Sequence, residues 1–216
     1  MTVLDAFSTS LSDIDMVCVE IFPEKVNIRK SSKFKKAVQN IFAEHIRTEQ
    51  VWRCADVSIP CPFGIGTGCA AASLSSYFII TCNNTFQPPR PMISGGVPKT
   101  KEVIDISLER GEMCMYGPVS YSCFTPNSTM SGNTTSEFSL EGTPFILSTT
   151  RNRFVAIGCN TVRLIGGSMH GDTDPYVTGC YSYCHGLNST SDGAPCIGMG
   201  CCEITIGSNV QGKIEL

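Results

Sequence analysis

The chain has 216 residues, 42% of them hydrophobic, and 16 Lys/Arg against 19 Asp/Glu give a formal net charge of -3. That length allows one or two domains with a real core, and the charge balance does not suggest a nucleic-acid binder, which usually shows a basic face. No apolar run approaches the roughly 20 residues needed to span a bilayer, so a membrane enters only through a transmembrane segment elsewhere in a longer gene product.

The N-terminus, M-T-V-L-D-A-F-S-T-S-L-S-D-I-D, has neither a basic n-region nor a continuous apolar h-region and does not read as a signal peptide. Cys18 follows in an apolar stretch, Met16-Val17-Cys18-Val19, and reads as a buried free thiol. Residues 31–50 carry the strongest helical pattern. Phe34, Val38, Ile41, Phe42 and Ile46 recur at three- and four-residue steps, and Ser31 or Ser32 can serve as N-cap. Lys33, Lys35 and Lys36 then form a solvated face beside the apolar stripe.

At Cys54 the texture changes. Residues 1–53 hold 8 Lys/Arg and 7 Asp/Glu, a net of +1, which leaves 8 and 12, a net of -4, for residues 54–216. Helical periodicity gives way to short β-prone runs between Gly, Pro and Asn turns. The expected strands are Tyr77–Cys82, Glu102–Leu108, Phe138–Leu140, Phe145–Ser148, Phe154–Ile157, Thr161–Ile165 and Glu203–Ile206. In E-V-I-D-I-S-L, Val103, Asp105 and Ser107 alternate with Ile104, Ile106 and Leu108, the period of a half-buried strand. The polar run T-P-N-S-T-M-S-G-N-T-T-S (125–136) reads as an exposed linker between lobes at 54–123 and about 137–207.

Twelve of the 13 cysteines lie in this second part: Cys54, Cys61, Cys69, Cys82, Cys114, Cys123, Cys159, Cys180, Cys184, Cys196, Cys201 and Cys202. The same region carries four N-x-[ST] sequons, at Asn83, Asn127, Asn133 and Asn188. Paired thiols persist in oxidising compartments, and sequons are used only where the glycosylation machinery reaches. Both point to an extracellular, disulfide-stapled, all-β, two-lobed ectodomain with disulfides at those cysteines and glycans at those asparagines. The missing export signal conflicts with this, and a wrongly joined first exon would reconcile the two.

Sites with other chemistry find little support. C-P-F-G-I-G-T-G-C-A (61–70) is glycine-rich but lacks the order G-x-G-x-x-G and a following Lys-Ser/Thr pair, so it reads as a rigid, cysteine-anchored loop and not as a phosphate cradle. Cys180, Cys184, Cys196, Cys201 and Cys202, with His170 and His185 near them, fit no common zinc spacing. Asp172 and Asp174 fall short of a calcium shell. His45, His170 and His185 lie in no catalytic motif, and Glu109 and Glu112 read as solvated turn acids. No cofactor, metal or catalytic activity is expected.

C-A-D-V-S-I-P-C-P-F-G-I-G-T-G-C-A (54–70) resembles the opening of the galacturonan-binding domain of plant wall-associated receptor kinases. The likeness continues through E-V-I-D-I-S-L (102–108), N-R-F-V-A-I-G-C-N-T (152–161), Y-V-T-G-C-Y-S-Y-C (176–184) and C-I-G-M-G-C-C-E-I-T-I (196–206). It divides the chain into a divergent segment at 1–53, the cysteine-rich domain at 54–207 and a tail at 208–216. Ala55 stands where the family has Gly, Cys61 where it has Tyr, and Cys114 is additional. The family's first cysteine, just before Cys54, is missing, so either Cys61 takes its partner or a lost exon supplied the original.

The resemblance implies an extracellular domain of the plant cell wall that contacts pectin through galacturonan. Binding would need cations for the uronate carboxylates. Arg151 and Arg153, two apart and so on one face of an extended strand, form with Arg163 the expected cluster, with de-esterified chains bound more tightly than esterified ones. The competing expectation is a protein-interaction or decoy ectodomain without carbohydrate binding.

Overall fold

The computed structural model describes residues 2–8, 16–21 and 51–215, apart from short stretches at 67–68, 73–74, 95–99, 118, 125–129, 135–136, 141–142, 169–174, 186–195 and 207–212. The helix expected at 31–50 lies outside the described residues, as do Asn127, Asn188, His170, Asp172 and Asp174. The described chain is built almost entirely of strands tied by disulfides. It falls into two compact, interleaved units.

The first unit comprises Met1–Cys18, Gly117–Glu141 and Leu147–Leu216. Its five-stranded antiparallel sheet contains β1 (Thr2–Ser8), β10 (Val119–Phe124), β11 (Met130–Thr134), β14 (Arg153–Ile157) and β17 (Cys201–Thr205), in the order β11-β10-β1-β14-β17. β14 is buried on both faces: Phe154 and Ala156 point one way, Val155 the other, and none is more than 2% exposed. A four-stranded sheet, ordered β12-β18-β15-β16, joins β12 (Glu137–Ser139), β15 (Thr161–Ser168), β16 (Pro175–Ser182) and β18 (Lys213–Glu215). Cys159–Cys184, Cys180–Cys202 and Cys196–Cys201 staple this unit. The neighbours Cys201 and Cys202 thus have different partners, because two adjacent cysteines can bond to each other only through a strained ring.

The second unit comprises Val19–Tyr116 and Gly142–Ile146. Its strands β5 (Gly64–Ile65), β6 (Ile79–Asn83), β7 (Arg90–Ser94), β8 (Thr100–Ser107) and β9 (Glu112–Tyr116) belong to a sheet that β2 (Met16–Glu20) and β13 (Ile146–Leu147) complete, in the order β13-β2-β9-β8-β7-β6-β5. Phe63, Phe78 and Phe145 pack edge-to-face and stacked, with ring centroids 5.3–6.5 Å apart. Such contacts supply apolar burial that short strands alone lack. Cys54–Cys82 ties the hairpin of β3 (Trp52–Cys54) and β4 (Val57–Ile59) to β6. Each bridge contributes roughly 2–4 kcal/mol by the chain-entropy account.

Residues the resemblance singles out acquire physical reasons here. Gly64 faces the backbone of the following loop: a Cβ there would lie 2.6 Å from the Ala70 nitrogen and 3.1 Å from that of Cys69. Cys61–Cys69 closes the same loop. Cys61 thus has its partner eight residues on, within this chain. Ala55 has φ +50° in the two-residue turn between β3 and β4, a left-handed conformation that glycine adopts at no steric cost.

The structure differs from the sequence reading at several points. Residues 2–8 and 16–20 are sheet strands, with β1 hydrogen-bonded to β10 on one side and β14 on the other. Strand pairing therefore runs across the expected boundary at Cys54. The expected linker at 125–136 contains β11, paired with β10, and the expected tail contains β18, paired with β12 and β15. The compact units are two, as expected, and each is assembled from more than one stretch of the chain. Cys18 is disulfide-bonded, as is Cys114, whereas Cys123, expected in a bridge, carries a half-buried thiol in β10. The alternation in 102–108 is broken by a bulge, because Val103 faces Met115 while Asp105 faces the next residue, Cys114. The extra residue shifts the phase, so Val103 and Ile106 are both buried and Asp105 is exposed.

Candidate functional site

The three expected arginines do not share a strand face. Arg151 lies in the turn before β14, Arg153 begins β14, and Arg163 sits in β15 of the other sheet. Arg153 is engaged by its surroundings: its Nη1 donates to the carbonyls of Thr149 (3.3 Å) and Asn152 (3.0 Å), and its Nε lies 3.4 Å from Glu203 Oε1. Arg163 Nη1 donates to the Val162 carbonyl at 3.3 Å. Glu112, read as a turn acid, is only 8% exposed and lies 3.3 Å from Arg110, which also binds Asp105 at 2.7 Å.

Of the sequon asparagines in the described residues, Asn133 is exposed on β11 and Asn83 ends β6. Asn83 Oδ1 accepts from the backbone N–H (3.0 Å) and hydroxyl (2.7 Å) of Thr85, so the sequon closes on itself as an Asx turn beside the β6–β7 hairpin.

That hairpin borders a groove of about 270 Å³ in the second unit. One wall is the β3–β4 turn, residues 54–57; the other is the proline-rich run 88–91, with Glu102, Val103, Ile104 and Tyr116 contributing from β8 and β9. Arg90 stands at its edge. Its Nη1 donates to Glu102 Oε2 at 2.9 Å, and its guanidinium lies 4.3 Å over the ring of Phe86. The pairing register places Met92 opposite Glu102, which brings the start of β7 beside β8 and lets Arg90 reach that carboxylate. Tyr116 is 47% exposed, so its ring is available to a ligand.

The groove combines an exposed aromatic face, pyrrolidine rings and a few polar groups. Its formal charge is slightly negative: Asp56 and Glu102 line it against Arg90. Carboxylates accept hydrogen bonds from hydroxyls, and a guanidinium donates them. The sequence singled out 54–57 and 102–104 as parts of motifs, but their meeting with Arg90 and Tyr116 is a tertiary event. The signal present in the sequence was Phe86 four residues before Arg90, which is unspecific.

The chain is 31% identical over 169 residues to wall-associated receptor kinase-like 6 of Arabidopsis thaliana, covering 71% of this chain and 24% of that protein. It is 31% identical over 158 residues to wall-associated receptor kinase-like 3, and 28% over 165 residues to wall-associated receptor kinase-like 5, both of Arabidopsis thaliana, covering 68% and 71% of this chain and 20% and 22% of theirs. The chain is homologous to wall-associated receptor kinase-like proteins. It spans about a quarter or less of the length of these curated relatives. No family model matches it, and no solved structure is significantly similar.

Proposed function

We propose that this chain is an extracellular, cell-wall-facing binding domain that takes pectic polysaccharide in the groove of the second unit and performs no catalysis on it. The homology to proteins named for their association with the wall supports the compartment and the class, as do the disulfides. The observation that carries the ligand reading is the groove itself. Tyr116 offers a flat face to a sugar ring, and Asp56, Arg90 and Glu102 offer acceptors and a donor for its hydroxyls.

Charge alters one sequence expectation. Arg90 is already neutralised by Glu102, and Asp56 adds a negative charge, so the groove has no surplus cation for a uronate. Methyl-esterified segments should therefore bind at least as well as de-esterified ones, with little dependence on salt. The alternative, a run of arginine–carboxylate pairs worth about 0–1 kcal/mol each and summed by multivalency, predicts the opposite order and strong salt sensitivity.

The test is retention of the secreted chain on immobilised pectins of high and low esterification. Tyr116→Ala should weaken binding about fivefold to tenfold, the loss of one stacking contact of roughly 1 kcal/mol, without changing the melting temperature by more than a few degrees. Joint replacement of Arg151, Arg153 and Arg163 by Gln should leave binding unchanged, and incubation should release no new reducing ends. If the triple variant loses binding while Tyr116→Ala does not, the groove is not the site.

A second reading, an ectodomain that contacts protein, is favoured by a separate feature: an exposed apolar sheet face on β15 and β16.

A further inference from the structure

β15 and β16 pair with Val162 opposite Tyr181, Leu164 opposite Gly179 and Gly166 opposite Val177. Residues at these alternate positions point to one face of the sheet. The opposite parity faces inward: Thr161 is 5% exposed, Ser182 is fully buried, and Cys180 is bonded to Cys202. The outward parity is apolar and open, with Val162, Leu164, Val177 and Tyr181 all 53–61% exposed.

The face extends past the strand. The Tyr183 N–H donates to the Gly198 carbonyl at 2.8 Å, which brings the 197–199 loop alongside, and Tyr183 and Ile197 are 52% and 76% exposed. Gly179 keeps the surface low in the middle, because a Cβ there would lie 2.5 Å from Leu164 Cδ2, whose side chain lies across it.

Water-facing apolar surface on this scale calls for an occupant. A fully exposed aromatic side chain presents roughly 150–250 Å² and an aliphatic one somewhat less. The observed exposures then give a patch on the order of 700 Å², above the roughly 300–600 Å² of the largest patch on an ordinary monomer. The side chains named carry no charge, so an acidic polysaccharide finds no cation here, and a two-fold axis can set the face against itself without opposing like charges.

We propose that this β15–β16 face, with the 197–199 loop, is the interface through which two copies of this chain associate. Each copy contributes close to the ~800 Å² per partner of a standard-size interface, and the two sheets pack face to face at the spacing of a β-sandwich, about 10 Å. The inference stands apart from the polysaccharide reading, because the groove belongs to the other unit and uses none of these residues.

The test is sedimentation velocity and light scattering on the full secreted chain between about 1 and 100 µM, with Leu164→Arg/Val177→Arg as the disrupting variant. The expected result is a concentration-dependent monomer–dimer equilibrium in the wild type and at least a tenfold weaker association in the variant, with its melting curve in the dissociated state unchanged. Tyr181→Ser/Ile197→Glu serves as a second variant should the first misfold. A wild type that stays monomeric at 100 µM overturns the proposal, as does a dimer that survives both variants. Retention on an unrelated protein by a chain that remains monomeric would overturn it as well, since the face would then serve a different partner.

Discussion

Asn152 is fully buried, and its side chain holds together backbone far apart in sequence. Its Oδ1 accepts from the Cys18 N–H at 2.8 Å, and its Nδ2 donates to the carbonyls of Cys18 and Ser148. Asn152→Ala removes all three bonds. The Cys18 carbonyl keeps the Ser148 N–H at 3.0 Å, but the Cys18 N–H loses its side-chain acceptor inside the protein. An orphaned buried donor costs about 1–3 kcal/mol and each lost neutral bond about 1, so the expected loss is roughly 3–4 kcal/mol. For a chain of this size that is on the order of 6–15 °C in melting temperature.

Asn152→Asp separates hydrogen bonding from packing, because the shape is kept. The introduced carboxyl faces two carbonyl oxygens and can satisfy one of them only while protonated. Burial and those oxygens raise its folded pKa above the unfolded value near 4. The native state then binds the extra proton above pH 4, so stability falls as pH rises from there towards 7. Melting of both variants and wild type, followed by near-ultraviolet circular dichroism at pH 4, 5.5 and 7, should show a deficit in Asn152→Ala that does not change with pH. The deficit in Asn152→Asp should grow from about 1–2 kcal/mol at pH 4 to about 4 at pH 7. A melting temperature for Asn152→Ala within 2 °C of wild type, or an Asn152→Asp deficit flat with pH, would refute the clamp.

Two further outcomes are expected. Residues 54–216 expressed alone should lose cooperative melting, because removing β1 leaves β10 and β14 without the strand between them; a shortened chain that melts as the full one does would restore the boundary at Cys54. Lys101 is 5% exposed in β8, and burial pushes its ammonium from 10.5 down to about 8. Below pH 8 the fold carries the cost of the buried charge, and that cost is shed between pH 8 and 10.5, as the folded lysine loses its proton before the unfolded one does. Lys101→Met should remove this pH dependence, so the stability of wild type should rise relative to the variant between pH 8 and 10.5. Urea unfolding of both proteins across that range is the check, and a difference constant with pH would contradict it.

The sequence alone determined the class of the molecule. Cysteine density, short β-prone runs and turn residues are local properties, and they specify a disulfide-stapled, all-β chain whatever the topology. Motif positions such as Gly64 and Asn152 were also legible as positions, though their reasons, a backbone approach by Ala70 and a clamp on Cys18, were not. What the sequence could not decide was pairing. A strand carries no mark of its partner, so β1 joining β10 and β14 across more than a hundred residues, and Cys54 bonding Cys82 on another strand, follow from tertiary packing. A single bulged residue in β8 was enough to invert a correct alternation, because a side-chain period of two flips with every inserted residue. The same limit governs the site. Arg151, Arg153 and Arg163 are close in the chain but distributed over a turn and two sheets, while Asp56, Arg90 and Tyr116, distant in the chain, meet at one groove. Chemistry is written residue by residue, but which residues face each other is set by strand order and register, and those depend on the whole fold.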